Sequence, residues 1–284
     1  LSDAMLIHGG AGVGVDHINF YTGVSTATTI RLHINNAGNV GINTTLTGSQ
    51  TWRAGQRLEI FGGTGNVTGE LHLGANRGDG TQSVGSINFF DNTQDTSHKH
   101  VAIIEVDKAG STSNKRGGDL IFYTKNDNTA SPTEKLRISS AGYVTKPTNP
   151  VFHAFGGSSD INANNDIVFG QERFDVGGGY NTSTGEYTAP ATGYYHFYAQ
   201  VYRQADENDT WWGFYLDTGG GYAQISESRL ETDYGGDSGR GYCTLQSSIY
   251  WYMTAGHKIK CRVGPSGVIH CNTTLSYFCG NLVG

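Results

Sequence analysis

From Tyr194 to Val201 two sets of side chains take turns: Tyr195, Phe197, Ala199 and Val201 alternate with Tyr194, His196, Tyr198 and Gln200. A period of two sends neighbours to opposite faces of an extended chain, so this run predicts a half-buried β-strand. What precedes it has the same grammar. Gly177-Gly178-Gly179 is a turn, Glu186 to Pro190 a short strand step, and Gly193 a break before the aromatic strand. The 284 residues contain 42 Gly but only 5 Pro, with the Gly set beside Asn, Ser and Thr, which reads as many short strands joined by tight corners. Hydrophobic content is modest at 36%, yet there are 16 Tyr and 12 Phe, so burial falls to aromatic and β-branched side chains on sheets. No segment carries a helical stripe. The expected class is all-β.

Charge narrows the partners. Nineteen Lys and Arg against 25 Asp and Glu leave a net charge of −6 with no basic patch, which argues against nucleic acid or an anionic membrane surface. No apolar run is long enough for a helix to cross a bilayer, so membrane insertion is not expected. The sequence starts at Leu1 without a signal-like region, and Met5 is not an obvious start, so a piece of a longer protein is expected. Cys243, Cys261, Cys271 and Cys279 show no paired CxxC spacing, which argues against zinc. Cys261 and Cys271 flank a predicted hairpin and could meet, although buried free thiols are the expectation.

The first half repeats itself. Ile18-Asn19-Phe20-Tyr21-Thr22 recurs as Ile87-Asn88-Phe89-Phe90-Asp91 and as Leu120-Ile121-Phe122-Tyr123-Thr124. Arg31-Leu32-His33-Ile34, then Asn35 to Val40, matches Lys135-Leu136-Arg137-Ile138, then Ser139 to Val144, and Arg57 to Ile60 is a weaker relative. Each long copy predicts a strand, a turn with Gly where positive φ is wanted, and a second strand. Units this small, with one apolar face each, need stacking or association to bury enough surface. The phrase from Arg31 to Thr45, RLHINNAGNVGINTT, resembles the shaft repeats of bacteriophage tail fibres. That resemblance implies three chains wound together and upstream virion tail components as partners. It also implies a use for His98 and His100, since His-x-His pairs hold iron in some such fibres. Their spacing would put both on one face of an extended strand; a solvated polar loop is the alternative.

Tyr143 to Pro150 holds two of the prolines and marks the expected boundary between residues 1–147, a β-structured shaft, and residues 151–284, a head. In the head, strands are predicted at Val151–Phe155, Ile167–Phe169, Arg173–Val176, Tyr187–Ala189, Tyr194–Tyr202, Trp211–Leu216, Ala223–Leu230, Tyr242–Tyr252, Lys258–Val263 and Thr274–Cys279. About ten short strands with Gly-rich corners describe a two-sheet jelly roll. The series Phe155, Phe174, Tyr180, Gly185, Tyr187, Ala189-Pro190, Gly193, Tyr195 and Phe197 resembles the head domain of complement C1q and its tumour-necrosis-factor relatives. Thr274, Ser276, Phe278 and Gly280 match that family's last strand. Tyr187 replaces the usual Phe, and His257 stands where the family has Gly-Asp. The resemblance implies a ten-stranded jelly roll assembled as a trimer, and so a homotrimer as first partner.

Catalytic signatures are missing: there is no G-x-S-x-G, P-loop, H-E-x-x-H or Cys/His nucleophile pattern. Glycosidases need two placed carboxylates with one kept protonated by burial, whereas the acids here lie among Gly, Asn and Ser. No enzymatic activity is expected. Calcium suits Asp206, Glu207, Asp209, Asp233 and Asp237 better, because it takes hard oxygens from flexible acidic loops; as solvated surface acids they need no ion. Trp211, Tyr222 and Tyr234 could stack on sugar rings, although Trp211 could equally lie in a subunit interface. The expected function is the distal part of a trimeric phage tail fibre, at the virion tail and acting outside the cell. Such a fibre would bind a host surface polysaccharide or protein, with a glycan favoured. The alternative is a secreted C1q-domain lectin or adhesin, which Asn-x-Ser/Thr sites at Asn43, Asn66, Asn181, Asn208 and Asn272 would suit. A polysaccharide depolymerase stands behind both.

Overall fold

In a computed structural model of the protein, the described residues are 7–9, 18–24, 27–34, 40–42, 58–60, 71–75, 82–91, 93–95, 98–110, 116–157, 160–203, 209–230, 243–271 and 275–284. Every regular element among them is a strand. The chain divides into two compact units, Leu1–Arg77 and Gly78–Gly284.

The first unit holds one sheet of β1 (Ile7–Gly9), β2 (Ile18–Val24), β3 (Ala27–Ile34), β4 (Val40–Ile42) and β5 (Leu58–Ile60), in that order. All neighbours are antiparallel except β4 and β5. The second unit opens with a sheet of β6 (Gln82–Phe90), β7 (His100–Ala109), β8 (Gly117–Thr124), β9 (Thr133–Ile138) and β10 (Val144–Thr145), also in chain order.

The sequence repeat is a repeat of register. Phe20 on β2 faces Leu32 on β3 and Phe122 on β8 faces Leu136 on β9, and in both pairs a bulge follows at the Phe-Tyr step. Each second strand then folds back on a third, with Ile34 opposite Val40 and Ile138 opposite Val144. Gly142 takes φ +85° in the later turn, and its N–H donates to the Ser139 carbonyl at 2.8 Å. An L side chain is strained at that angle, which accounts for the Gly the pattern required. Asp119 secures the turn from the neighbouring strand: it accepts from the Ser140 N–H at 2.8 Å and from Arg137 Nη1 at 2.7 Å.

Alternation gives the β6–β10 sheet two unlike faces. Ile87, Ile104, Phe122 and Leu136 form one cross-strand row, and Val106, Leu120, Ile138 and Val144 the next. Ile87, Phe89, Val106, Ile138 and Val144 of this apolar face are exposed. On the other face Glu105 and Arg137 flank the fully buried Ile121, with Asp107 opposite Asp119.

The remaining strands are β11 (Val151–Phe155), β12 (Asp160–Asn162), β13 (Asp166–Ile167), β14 (Gln171–Val176), β15 (Tyr180–Asn181), β16 (Glu186–Thr188) and β17 (Gly193–Arg203), followed by β18 (Thr210–Asp217), β19 (Tyr222–Gln224), β20 (Ser228–Leu230), β21 (Cys243–Met253), β22 (Lys258–Val263), β23 (Val268–His270) and β24 (Tyr277–Leu282). They build two seven-stranded sheets. One runs β12-β23-β17-β24-β11-β14, with β21 along the whole opposite edge of β17; the other runs β15-β16-β22-β18-β19 with β13 on β22 and β20 on β18. From β16 to β18, and again from β21 to β23, the chain crosses from sheet to sheet at each step. That crossing is the jelly roll the turn spacing predicted. The predicted Ala223–Leu230 strand is two strands, β19 and β20, and short segments such as β12, β15 and β23 raise the number above ten.

The core lies between these sheets. Tyr195, Phe197, Ala199 and Val201 point into it with no exposure, joined from β18 by Trp212 and Phe214. Phe152 stacks on Tyr187 with ring centroids 4.5 Å apart and meets Phe278 edge-on at 4.9 Å. Ring pairs in such offset and T-shaped arrangements add to the burial term. All four cysteines are free. Burial pushes the Cys271 thiol up to about 12 and raises Cys261 and Cys279 as well, which keeps them as inert thiols.

Candidate recognition surface

The outward half of the β17 alternation is one row of a wide aromatic face. Across β17 and β21, Tyr194 stands opposite Tyr252 and His196 opposite Tyr250. Their rings meet at 5.2 Å edge-on and 4.5 Å stacked. On the other flank Tyr198 stands opposite Cys279 and Gln200 opposite Tyr277, and β11 continues the face with His153 opposite both Cys279 and Phe174. The His153 ring stacks on Tyr277 at 5.4 Å. Tyr250 is 67% exposed, Tyr194 59% and Phe174 48%. Exposed aromatic rings clustered on one sheet face mark an interaction surface. At its middle, His153 Nδ1 is buried with no hydrogen-bond partner among the described residues. Burial first, and then the Arg173 charge, hold this imidazole below its ordinary pKa.

The outer face of the opposite sheet is polar and internally paired. The Tyr222 hydroxyl donates to Glu186 Oε1 at 2.5 Å, and Lys260 Nζ sits 3.7 Å from the centre of the Tyr222 ring. Lys260 also pairs with Asp166 at 2.6 Å, and Lys258 with Glu186 at 3.4 Å. The Tyr222 hydrogen bond, helped by Lys258, holds the Glu186 carboxyl below its usual range, whereas burial followed by that same bond pushes the Tyr222 phenol up.

Of the residues expected to stack on sugar, Trp211 and Tyr222 lie at opposite ends of β18: Trp211 is registered with Arg229, and Tyr222 with Asp217. At about 3.3 Å per residue that separates them by about 20 Å along the strand, so they do not form one stacking platform. The Trp211 indole lies against Gly264, where any side chain would collide with it. Tyr222 has one ring face under Lys260. Tyr234 lies outside the described residues, as do Asp206, Glu207, Asp233 and Asp237. Asp209 pairs with Arg229 at 3.3 Å. His98 sits in a turn before β7, which starts at His100, so the two are not successive same-face residues of one strand. The His98 ring bonds to Asp95, and its carbonyl accepts from Lys125 Nζ at 2.6 Å. Among the described residues of a single chain no group of three or more His, Cys, Asp or Glu is placed to hold a metal ion.

The Glu186–Tyr222–Lys260–Asp166 network carries no sequence signal, since its members come from strands far apart in the chain. Part of the aromatic face was visible as Tyr194, His196 and Tyr198; the contributions of β11, β14, β21 and β24 needed the sheet order.

No protein-family model matches this sequence, and no curated protein matches it. Among solved structures the chain is similar to an Eiger tumour necrosis factor from S. frugiperda, at 13% identity and TM-score 0.43, covering 48% of this chain and 94% of that one. It is also similar to murine APRIL at pH 5.0, with 12% identity, TM-score 0.40 and coverage of 48% and 99%. The globular domain of zebrafish complement 1qA shares 13% identity at TM-score 0.38, over 48% of this chain and 98% of that one. These neighbours cover the C-terminal half. The jelly-roll assignment itself rests on the strand order and registers above.

Proposed function

We propose that this chain is the distal part of a trimeric bacteriophage tail fibre whose jelly-roll head attaches the virion to a host surface glycan. The observation that carries the reading is the uncovered aromatic face around Tyr194, Tyr250 and Tyr277. A face this apolar is satisfied by copies of itself arranged about an axis, as closed homo-oligomers do. The repeated meander of β2–β4 and β8–β10 fits a shaft, with the resemblance of Arg31–Thr45 to fibre repeats beside it. Three heads per fibre would turn weak sugar contacts into firm attachment. Upstream tail components would hold the other end. Calcium belongs to this reading at Asp206, Glu207, Asp209, Asp233 and Asp237.

Sedimentation velocity on the full chain tests the assembly: a trimer is expected at micromolar concentration, and a monomer would sink the proposal. Adsorption to bacterial envelopes, with and without a calcium chelator, tests the attachment. Binding confined to animal glycans would favour the secreted lectin, and release of reducing sugar would favour the depolymerase.

A further inference from the structure

Within the second unit, a cleft of about 460 Å³ opens between the β8–β9 hairpin, the Lys146–Pro150 connection and the turn after β14. Its charged lining is Lys135 and Lys146, with no carboxylate. Lys135 Nζ is steadied by Asn126 Oδ1 at 3.4 Å. Among the described residues neither lysine has a carboxylate within ion-pair distance, unlike Lys258 and Lys260. In a chain of net charge −6, two uncompensated ammonium groups on one cleft make a local positive field. The floor is apolar. Pro150, Pro190, Ala191 and Leu282 supply it, and Gly177, at φ +103°, lies beside both prolines: a Cβ there would be in ordinary contact, 3.5 Å from Pro190 Cγ and 3.7 Å from Pro150 Cβ. Asn149 is fixed at the rim by donating to the Leu282 carbonyl at 2.9 Å, and Thr148 supplies a hydroxyl beside it.

We propose that this cleft binds the carboxylate-bearing residue of an acidic surface glycan, a hexuronic or nonulosonic acid. The ammonium groups take the carboxylate, the amide and hydroxyl side chains take ring hydroxyls, and the exposed Pro190 takes the apolar face of the sugar. The assignment rests on the host-glycan reading and moves the contact away from the acidic loops to the base of the head. A bare anion would leave the proline floor unused, which favours a sugar over inorganic phosphate.

Calorimetric titration of the full chain tests this with tri-galacturonate, 3′-sialyllactose, lactose and inorganic phosphate. One or both acidic sugars should bind, more weakly as salt rises, and lactose and phosphate at least tenfold more weakly. Lys135→Met with Lys146→Met should cost about tenfold in affinity, while Lys135→Arg with Lys146→Arg retains most of it. Neither lysine is in the core, so the melting temperature of both double variants should match the parent. Unchanged affinity in the methionine variant, or phosphate or lactose binding as tightly as the acidic sugars, would overturn the assignment. If the parent adsorbs to bacterial envelopes yet ignores both acidic sugars, this site fails and the attachment reading stands. If it adsorbs to none, the attachment reading itself fails.

Discussion

Position 280 has room for a hydrogen and nothing more. A Cβ there would lie 2.5 Å from Phe197 Cδ1 and 2.9 Å from Phe152 Cε1, both core rings with no exposure. Gly280→Ala should therefore destabilise the head by about 1–3 kcal/mol through overpacking, read as a lower urea midpoint with an unchanged slope. His153 makes the second residue-scale prediction. Its folded pKa is depressed from 6.5 by burial and Arg173, so the folded chain binds this proton less readily than the unfolded one. Stability from this residue is complete above pH 6.5 and declines as the pH falls below it, toward the lower folded value. His153→Phe should flatten that part of the stability–pH curve, and an unchanged curve would refute the assignment.

At the scale of elements, the β9–β10 turn depends on Asp119, whose pKa is lowered first by the Ser140 N–H and then by Arg137. Asp119→Ala should raise amide exchange at Ser140 and Gly142 by about tenfold or more, as local opening does, with little change in the melting temperature. Lowering the pH through and below the usual carboxylate range should mimic the mutation in the parent. Strands of this kind were legible where one face is wholly buried. Tyr194–Val201 shows its alternation because Tyr195, Phe197, Ala199 and Val201 all belong to the buried apolar cluster between the sheets. Ala223–Leu230 was read as one strand because its residue types suit a sheet, but the chain leaves the ladder between β19 and β20, where Ser226 Oγ instead accepts from the Phe214 N–H at 3.1 Å. A side chain standing in for a ladder bond leaves no trace in hydrophobic periodicity. The candidate site was less legible still: the sequence shows Tyr222 as a ring that could stack on a sugar, and only the fold brings Lys260 over it and Glu186 to its hydroxyl.

Among the described residues two apolar faces are exposed: the aromatic face of the β17 sheet and the Ile87–Val144 face of the β6–β10 sheet. If copies of the chain supply both, Tyr250→Glu and Phe89→Glu should each weaken association by about tenfold or more, as charges placed in a buried interface do. Sedimentation at a series of concentrations would show it. Core stability of the isolated chain should barely move, since Tyr250 is 67% and Phe89 49% exposed.

The matched bulges after Phe20 and Phe122 carry a consequence for the gene. Sliding one strand by a single residue exchanges its two faces, so most insertions into a sheet are ruinous. A crossover joining the DNA for one meander to the other at these equivalent phenylalanines keeps the pleat in phase, with the same partner leucine, Leu32 or Leu136, across the ladder. Descendants of such an exchange would gain or lose whole meanders while the head stayed intact. Length would then be the trait that varies most freely among relatives of this chain.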